Sequence, residues 1–310
     1  MKAFVKPCSC RHNLRKHRRC CAHKSTPGDL SQAAIVVDRG EGNDSDSEEW
    51  INCSNQRFLA AGARDVMLNP NEIGDTLLLG SQIGFQMEGF QPEVAAAVAE
   101  LGFKKRWSRE LVKEFKIKIL CIQETKTDQF NCWDAKALGG KFLNCWAHTP
   151  ATGNSGGIVT LWDPNFFTVQ ATIENRNFLL VSGVMKGSND KLSVINVYAP
   201  QEDSNKRELW GQIANCIDGD DDSMWLVCGD FNEVRCAEER KGSVFSANGA
   251  RMFNNFIDRA GLQKLPLGGR NYTWMSPNGA KFSKLDRVIV SQNFLHQWPN
   301  ASATALPRLH

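Results

Sequence analysis

Strand-like and helix-like patterns alternate from about residue 103 onward, which predicts an α/β layered domain. The short, wholly apolar run Met224–Cys228 reads as a buried strand. Ser204–Ile217 carries Leu209, Trp210, Ile213 and Ile217 on one helical face. The 310 residues are 42% hydrophobic and 23% charged, close to the globular average and enough to bury a substantial core.

Three regions follow from the pattern. Residues 1–50 read as a disordered tail, basic and then acidic, with too little aliphatic content to offset the entropy of ordering. Residues 51–102 form a Gly- and Asn-rich linker with a short helix at Pro92–Leu101, its proline tolerated in the first turn. The domain spans 103–310. It opens with Trp107, Leu111 and Phe115 at a four-residue helical step, then a strand at Ile117–Gln123 and a helix at Phe130–Leu138 stopped by Gly139-Gly140. Strands are expected at Gly157–Trp162, Phe167–Ile173, Phe178–Met185 and Leu192–Val197, with a polar turn at Glu174–Asn177. After Ser204–Ile217 and Met224–Cys228 comes a helix capped by Asn248, carrying Met252, Phe253, Phe256 and Ile257 and ended by Gly261. Tyr272–Met275 and Leu285–Val290 close the series as strands, and no internal repeat is present.

The net charge of +3 conceals a strong asymmetry. Residues 1–28 hold eight Lys/Arg and no acid, residues 29–50 one Arg and seven acids, leaving about +1 for the rest. The basic run suits a solvated tail, a nuclear address, a nucleic-acid contact or an organelle transit peptide. No apolar run approaches the ~18–20 residues a bilayer helix needs, so no membrane partner is expected. The eleven cysteines follow no disulfide framework, and Cys121 and Cys228 sit inside apolar strands as small hydrophobes. Cys8, Cys10, Cys20 and Cys21 with His12, His17 and His23 could bind zinc, but their spacings suit a tetrahedral site poorly.

Polar groups at the ends of strands carry the chemical signal. Glu124 follows Ile117–Gln123, Asp230 and Asn232 follow Met224–Cys228, Tyr198 ends Leu192–Val197, and Asp286 opens the last strand. Strand ends are where ligand sites gather in α/β sheets. Carboxylates converging on one rim call for a counter-charge, and Mg²⁺ takes one or two of them with waters and phosphate oxygens. Singly, each residue has a structural reading: Glu124 as a cap, Asp230 and Asn232 as turn residues, Tyr198 as packing, Asp286 as an ion pair with Arg287.

Taken in order, Gln123-Glu124-Thr125-Lys126, Ser155-Gly156-Gly157, Asn196-Val197-Tyr198-Ala199-Pro200, Gly229-Asp230-Phe231-Asn232 and Lys284-Leu285-Asp286-Arg287 resemble the motif series of the endonuclease/exonuclease/phosphatase family. Asn271–Trp274 and Lys284–Ser291 look like its branch in plant non-LTR retrotransposons, and residues 75–101 are weakly similar to the segment preceding that branch's domain. The resemblance implies a four-layer sandwich of two mixed β-sheets flanked by helices, with this chain lacking the family's first and last strands. It also implies a Mg²⁺-dependent (or Mn²⁺-dependent) phosphodiester hydrolase acting on DNA. Glu124 would hold the metal and Asp230 would orient and deprotonate water. Asn232 would bind phosphate or steady that aspartate, Tyr198 would hydrogen-bond the scissile phosphate, and Asp286 would belong to the network behind a catalytic histidine. Lys126 and Arg287 could position backbone phosphates, and Trp274 could stack on bases or serve as core.

The family's first-strand Asn and terminal Ser-Asp-His are not found in this sequence, which runs to Leu306-Pro307-Arg308-Leu309-His310. The expectation is therefore an impaired DNA endonuclease of retroelement descent, monomeric and without an inferable protein partner. The alternatives are a catalytically inactive remnant or nucleic-acid-binding module, and a sugar or inositol phosphatase.

Overall fold

The computed structural model describes residues 2–6, 34–38, 105–153 and 155–306, with only the backbone course given for the first two segments. The proposed Cys/His zinc set, the linker helix at 92–101 and His310 lie outside the described residues.

Sixteen strands are described: β1 (Lys2–Lys6), β2 (Ala34–Asp38), β3 (Ile119–Gln123), β4 (Cys145–Thr152), β5 (Ser155–Trp162), β6 (Phe167–Asn175), β7 (Phe178–Met185), β8 (Lys191–Tyr198), β9 (Met224–Asp230), β10 (Arg240–Lys241), β11 (Leu262–Lys264), β12 (Leu267–Gly269), β13 (Trp274–Met275), β14 (Phe282–Ser283), β15 (Asp286–Ser291) and β16 (Ser302–Ala305). The helices are α1 (105–114), α2 (Cys132–Gly139), α3 (Asp203–Asp218), α4 (Ala247–Arg259) and α5 (Gln292–Gln297). None of the described helices is long and apolar enough to cross a membrane.

Two mixed sheets form, ordered β12-β16-β2-β1-β3-β5-β4 and β11-β15-β9-β8-β7-β6, with a small sheet β10-β14-β13 beside them. Strand alternation sorts the side chains between layers. Ile119 and Cys121 of β3 meet Val194, Leu226 and Cys228 of the second sheet in the central core. Leu120 and Ile122 point the other way, onto Leu111 and Val112 of α1 and Ala135 of α2. On the far face Leu209, Trp210 and Ile213 of α3 and Phe253 and Phe256 of α4 cover Ile195, Val227 and Ile289. The result is helix, sheet, sheet, helix. Cys121 and Cys228 are buried free thiols, as their apolar runs imply.

Several elements differ from the sequence reading. β4 was not foreseen, because Pro150 interrupts its pattern; as the edge strand of its sheet it tolerates a residue without an N–H. β1, β2 and β16 fill the first sheet between β3 and β12, and β1 and β2 lie inside the stretch read as a disordered tail. The physical reason is local: Phe4-Val5 and Ile35-Val36-Val37 are short β-branched or aromatic runs, and open sheet edges take up such backbone. The cap of α4 is Ser246, whose hydroxyl accepts from the Gly249 N–H at 3.1 Å, and not Asn248, which instead accepts from Arg251. Ser246→Ala is expected to cost about 1 kcal/mol, while Asn248→Ala costs at most a few tenths. Urea unfolding of the two variants checks the assignment.

Candidate active site

The carboxyl-terminal ends of β3, β8 and β9 and the start of β15 converge on one rim. Tyr198 pairs with Asp230 in the parallel β8–β9 ladder, and Asp230 pairs with Asp286 in the antiparallel β9–β15 ladder. From the other sheet Glu124 arrives across the sandwich, and the Tyr198 hydroxyl donates to its Oε1 at 2.5 Å. Five of the eight sequence-derived candidates, Glu124, Tyr198, Asp230, Asn232 and Asp286, are thereby brought together.

Each is held by its surroundings. Glu124 has a left-handed backbone (φ 53°), as does Lys126 (φ 54°), a conformation costly for side-chain-bearing residues. The Ser155–Gly157 word sustains it: Thr125 N–H donates to Gly157 O at 3.1 Å and Lys126 N–H to Gly156 O at 3.0 Å. A Cβ on Gly157 would lie 2.2 Å from Thr125 Oγ1, so only glycine lets the two loops touch. Gly229 is needed for a similar reason: at φ 139° its added Cβ would meet Val197 O at 2.0 Å. Phe231 is fully buried against Trp210 and Phe253, at centroid distances of 5.9 and 5.2 Å, and pins the loop between Asp230 and Asn232. Asn232 donates its backbone N–H to Asp230 Oδ1 at 2.8 Å and its side-chain amide to Ala199 O at 2.6 Å. Of the two roles the sequence left open for it, this geometry serves the steadying of Asp230.

The electrostatics are those of crowded acids. Burial first, then Asp230, push the Asp286 carboxyl up to about 7, against the pull of the Thr273 hydroxyl and Arg287. Asp230 is also raised, by burial and by Glu124, while the Asn232 N–H and Lys206 act to lower it. The Tyr198 phenol is pushed above its ordinary range by burial and then by Glu124, with a further contribution from Asp230. Positive charge is what this rim lacks. Among the described residues no three His, Cys, Asp or Glu side chains form a ready metal-binding group. A cation that takes one or two protein carboxylates and completes its shell with water and phosphate still fits the donor set. Glu124 is the residue that would hold it, with waters and phosphate oxygens completing the shell.

Three candidates lie elsewhere. Arg287 is a correction. Alternation along β15 turns it away from Asp286, it is 2% exposed, and its guanidinium binds Glu239, Glu233 O and Lys284 O. That fork is committed inside the protein and is not presented to backbone phosphates; its ion-pair partner is Glu239, not Asp286. Although burial opposes it, the guanidinium holds Glu239 below its ordinary range. Lys126 stands exposed on the loop after β3, and Trp274 is half-buried on β13, next to Thr273. Thr273 Oγ1 in turn accepts from the Leu285 and Asp286 N–H groups at 3.1 and 2.9 Å.

Sequence reading missed the supporting polar residues. Lys206 and Glu233 form a buried ion pair at 2.8 Å beneath the Asp230 loop, with Gly249 leaving room for the carboxylate. Gln123 and Asn196 bridge the sheets. Their signal was available: polar side chains inside otherwise apolar strands rarely go unused. A cleft of about 440 Å³ adjoins Tyr198 and Asn232, between the β6–β7 turn at Arg176 and the polar residues Gln201, Asn205 and Gln212.

The profile described as "Endonuclease/Exonuclease/phosphatase family" matches residues 101–303. Similar solved structures include AP endonuclease LMAP from Leishmania major, 14% identical over 60% of this chain and 73% of that one, TM-score 0.43. Another is an endonuclease/exonuclease/phosphatase from Bacteroides vulgatus, 12% identical over 61% and 79%, TM-score 0.47. A third is truncated Caenorhabditis elegans TDP2, 15% identical over 62% and 78%, TM-score 0.43. No curated protein matches.

Proposed function

The chain belongs to the endonuclease/exonuclease/phosphatase family, and on that premise we propose that it hydrolyses phosphodiester bonds of DNA with the help of a divalent cation. Enzymes of this family are generally divalent-metal dependent. Mg²⁺ is the expected ion, with Mn²⁺ a substitute, and Glu124 its first ligand. The observation that carries the reading is the meeting of Glu124, Tyr198, Asp230 and Asp286 from four strands of two sheets.

The residues divide the work by chemistry. Asp230, with a raised carboxyl and a fixed orientation from the Asn232 N–H, takes the proton of the attacking water. Asp286 beside it shares the negative charge and keeps one proton near neutrality. The Tyr198 hydroxyl, which donates to Glu124 in the resting site, exchanges that partner for a non-bridging phosphate oxygen where charge develops. A bound divalent cation would supply the neutralisation that the carboxylates lack. Of the two described histidines, His148 packs on Phe130 and His296 bonds Gln292. Among the described residues the rim therefore has no imidazole.

Charge on the nearby small sheet supports a polyanionic substrate. Arg240 and Lys241 on β10 and Lys281 and Lys284 flanking β14 are four basic residues on or beside that small sheet, though the whole chain carries only +3. Lys126 would contact backbone phosphates and Trp274 a base. Descent from a plant non-LTR retroelement and a nuclear destination belong to the same proposal and rest on the Asn271–Trp274 and Lys284–Ser291 words and the basic residues 11–19.

Supercoiled-plasmid nicking tests the reading. Slow nicking with Mg²⁺ that stops with chelator is expected, and Glu124→Ala should abolish it. Binding of DNA without any nicking would favour the inactive-module reading, and turnover confined to inositol or sugar phosphates would favour the phosphatase.

A further inference from the structure

The two halves of the rim belong to different sheets, and the polar bridge between those sheets lies directly behind them. Asn196 on β8 is fully buried. Its amide nitrogen is within reach of Ile122 O at 3.3 Å, Val159 O at 3.0 Å and Thr160 Oγ1 at 3.2 Å, all on the opposite sheet. Its carbonyl oxygen accepts from the Gln123 side chain, again across the sandwich. Gln123 is itself 1% exposed and immediately precedes Glu124, while Asn196 stands two residues before Tyr198 on the same face of β8.

We propose that the Gln123–Asn196 amide pair is a positioning device that fixes the separation and register of the two sheets so that Tyr198 meets Glu124. Apolar packing between sheets is non-directional and sets only their spacing. Directed hydrogen bonds at the end of the sandwich nearest the site fix the lateral offset as well. A displacement of the order of 1 Å is enough to lose a 2.5 Å hydrogen bond. The clamp gives a use to two amides buried in β3 and β8. Its catalytic consequence rests on the hydrolase reading above; its geometric consequence does not.

The test separates the two. The chain has two tyrosines, so fluorotyrosine incorporated into a Tyr272→Phe background reports on Tyr198 alone. One narrow fluorine resonance is expected in that parent, and Glu124→Gln should move it by weakening the acceptor. Asn196→Ala should move it in the same direction or split it, while circular dichroism stays native. Should Asn196→Ala fail to fold, Gln123→Met removes the partner amide at nearly constant volume and should shift the resonance by less. A resonance left in place by either folded variant overturns the proposal. In nicking assays Asn196→Ala should lower kcat about tenfold or more with KM held. In a Tyr198→Phe background the same change should cost much less, because the two act through one contact. A parent without hydrolysis would refute the function and leave the fluorine result to decide the clamp.

Discussion

Asp230→Asn is expected to lower turnover on DNA by about 10²–10⁴ while leaving KM nearly unchanged. The substitution keeps the shape of the side chain and an oxygen for the Asn232 N–H, which donates to Asp230 Oδ1 at 2.8 Å. On the proposed mechanism it removes the group that accepts the proton of water. It also removes the negative charge that faces Glu124 and Asp286, so the folded protein should be no less stable than its parent. Loss of rate with stability kept or raised is the signature of a carboxylate retained for chemistry at the expense of the fold. Steady-state nicking rates and urea unfolding of the same preparation check both halves. An Asp230→Asn protein that cuts as fast as its parent would remove this aspartate from the mechanism.

The second large effect is on stability and its dependence on pH. Asp286 is 4% exposed and its carboxyl is pushed up to about 7, first by burial and then by Asp230. An unfolded chain releases that proton near pH ~4. Between those values the folded protein holds a proton that the unfolded chain has lost, so stability falls as pH rises through the window and levels off above it. The size is on the order of 3–4 kcal/mol for the whole window. Asp286→Asn should remove most of this slope, matching the parent near pH ~4 and exceeding it near pH ~8. Divalent cation added near pH ~8 should stabilise the parent more than the variant, because it replaces the missing counter-charge. Urea unfolding at the two pH values, with and without the ion, reads all of this. Parallel pH profiles for parent and variant would mean that Asp286 is ordinary in the folded state.

Much of the architecture was legible in one dimension. The apolar runs at 119–122, 178–181 and 224–228 and the helical faces of α3 and α4 follow from periodicity, and the structure places all of them as expected. The left-out elements failed for physical reasons. β4 has no counterpart in the sequence reading because Pro150 breaks its pattern, yet an edge strand needs only half of its backbone groups paired. β1 and β2 are five-residue runs with local strand character, too short to outweigh the charged sequence around them; the ladders with β3 and β16 place them.

The site divides along the same line. By itself the sequence determined which chemical groups end which strands: a carboxylate after β3, a phenol at the end of β8, an Asp-Phe-Asn loop after β9, an aspartate at the start of β15. Short words fix these because backbone period and turn glycines are local properties. Only the tertiary structure decided which side chains face one another. Alternation puts Asp286 and Arg287 on opposite faces of β15 without saying which face holds the site, and burial of the guanidinium against Glu239 settled it. The meeting of Glu124 with Tyr198 spans 74 positions and two sheets. Such a contact is set by how the sheets pack and how their polar groups lock together, and neither is a property of any single segment.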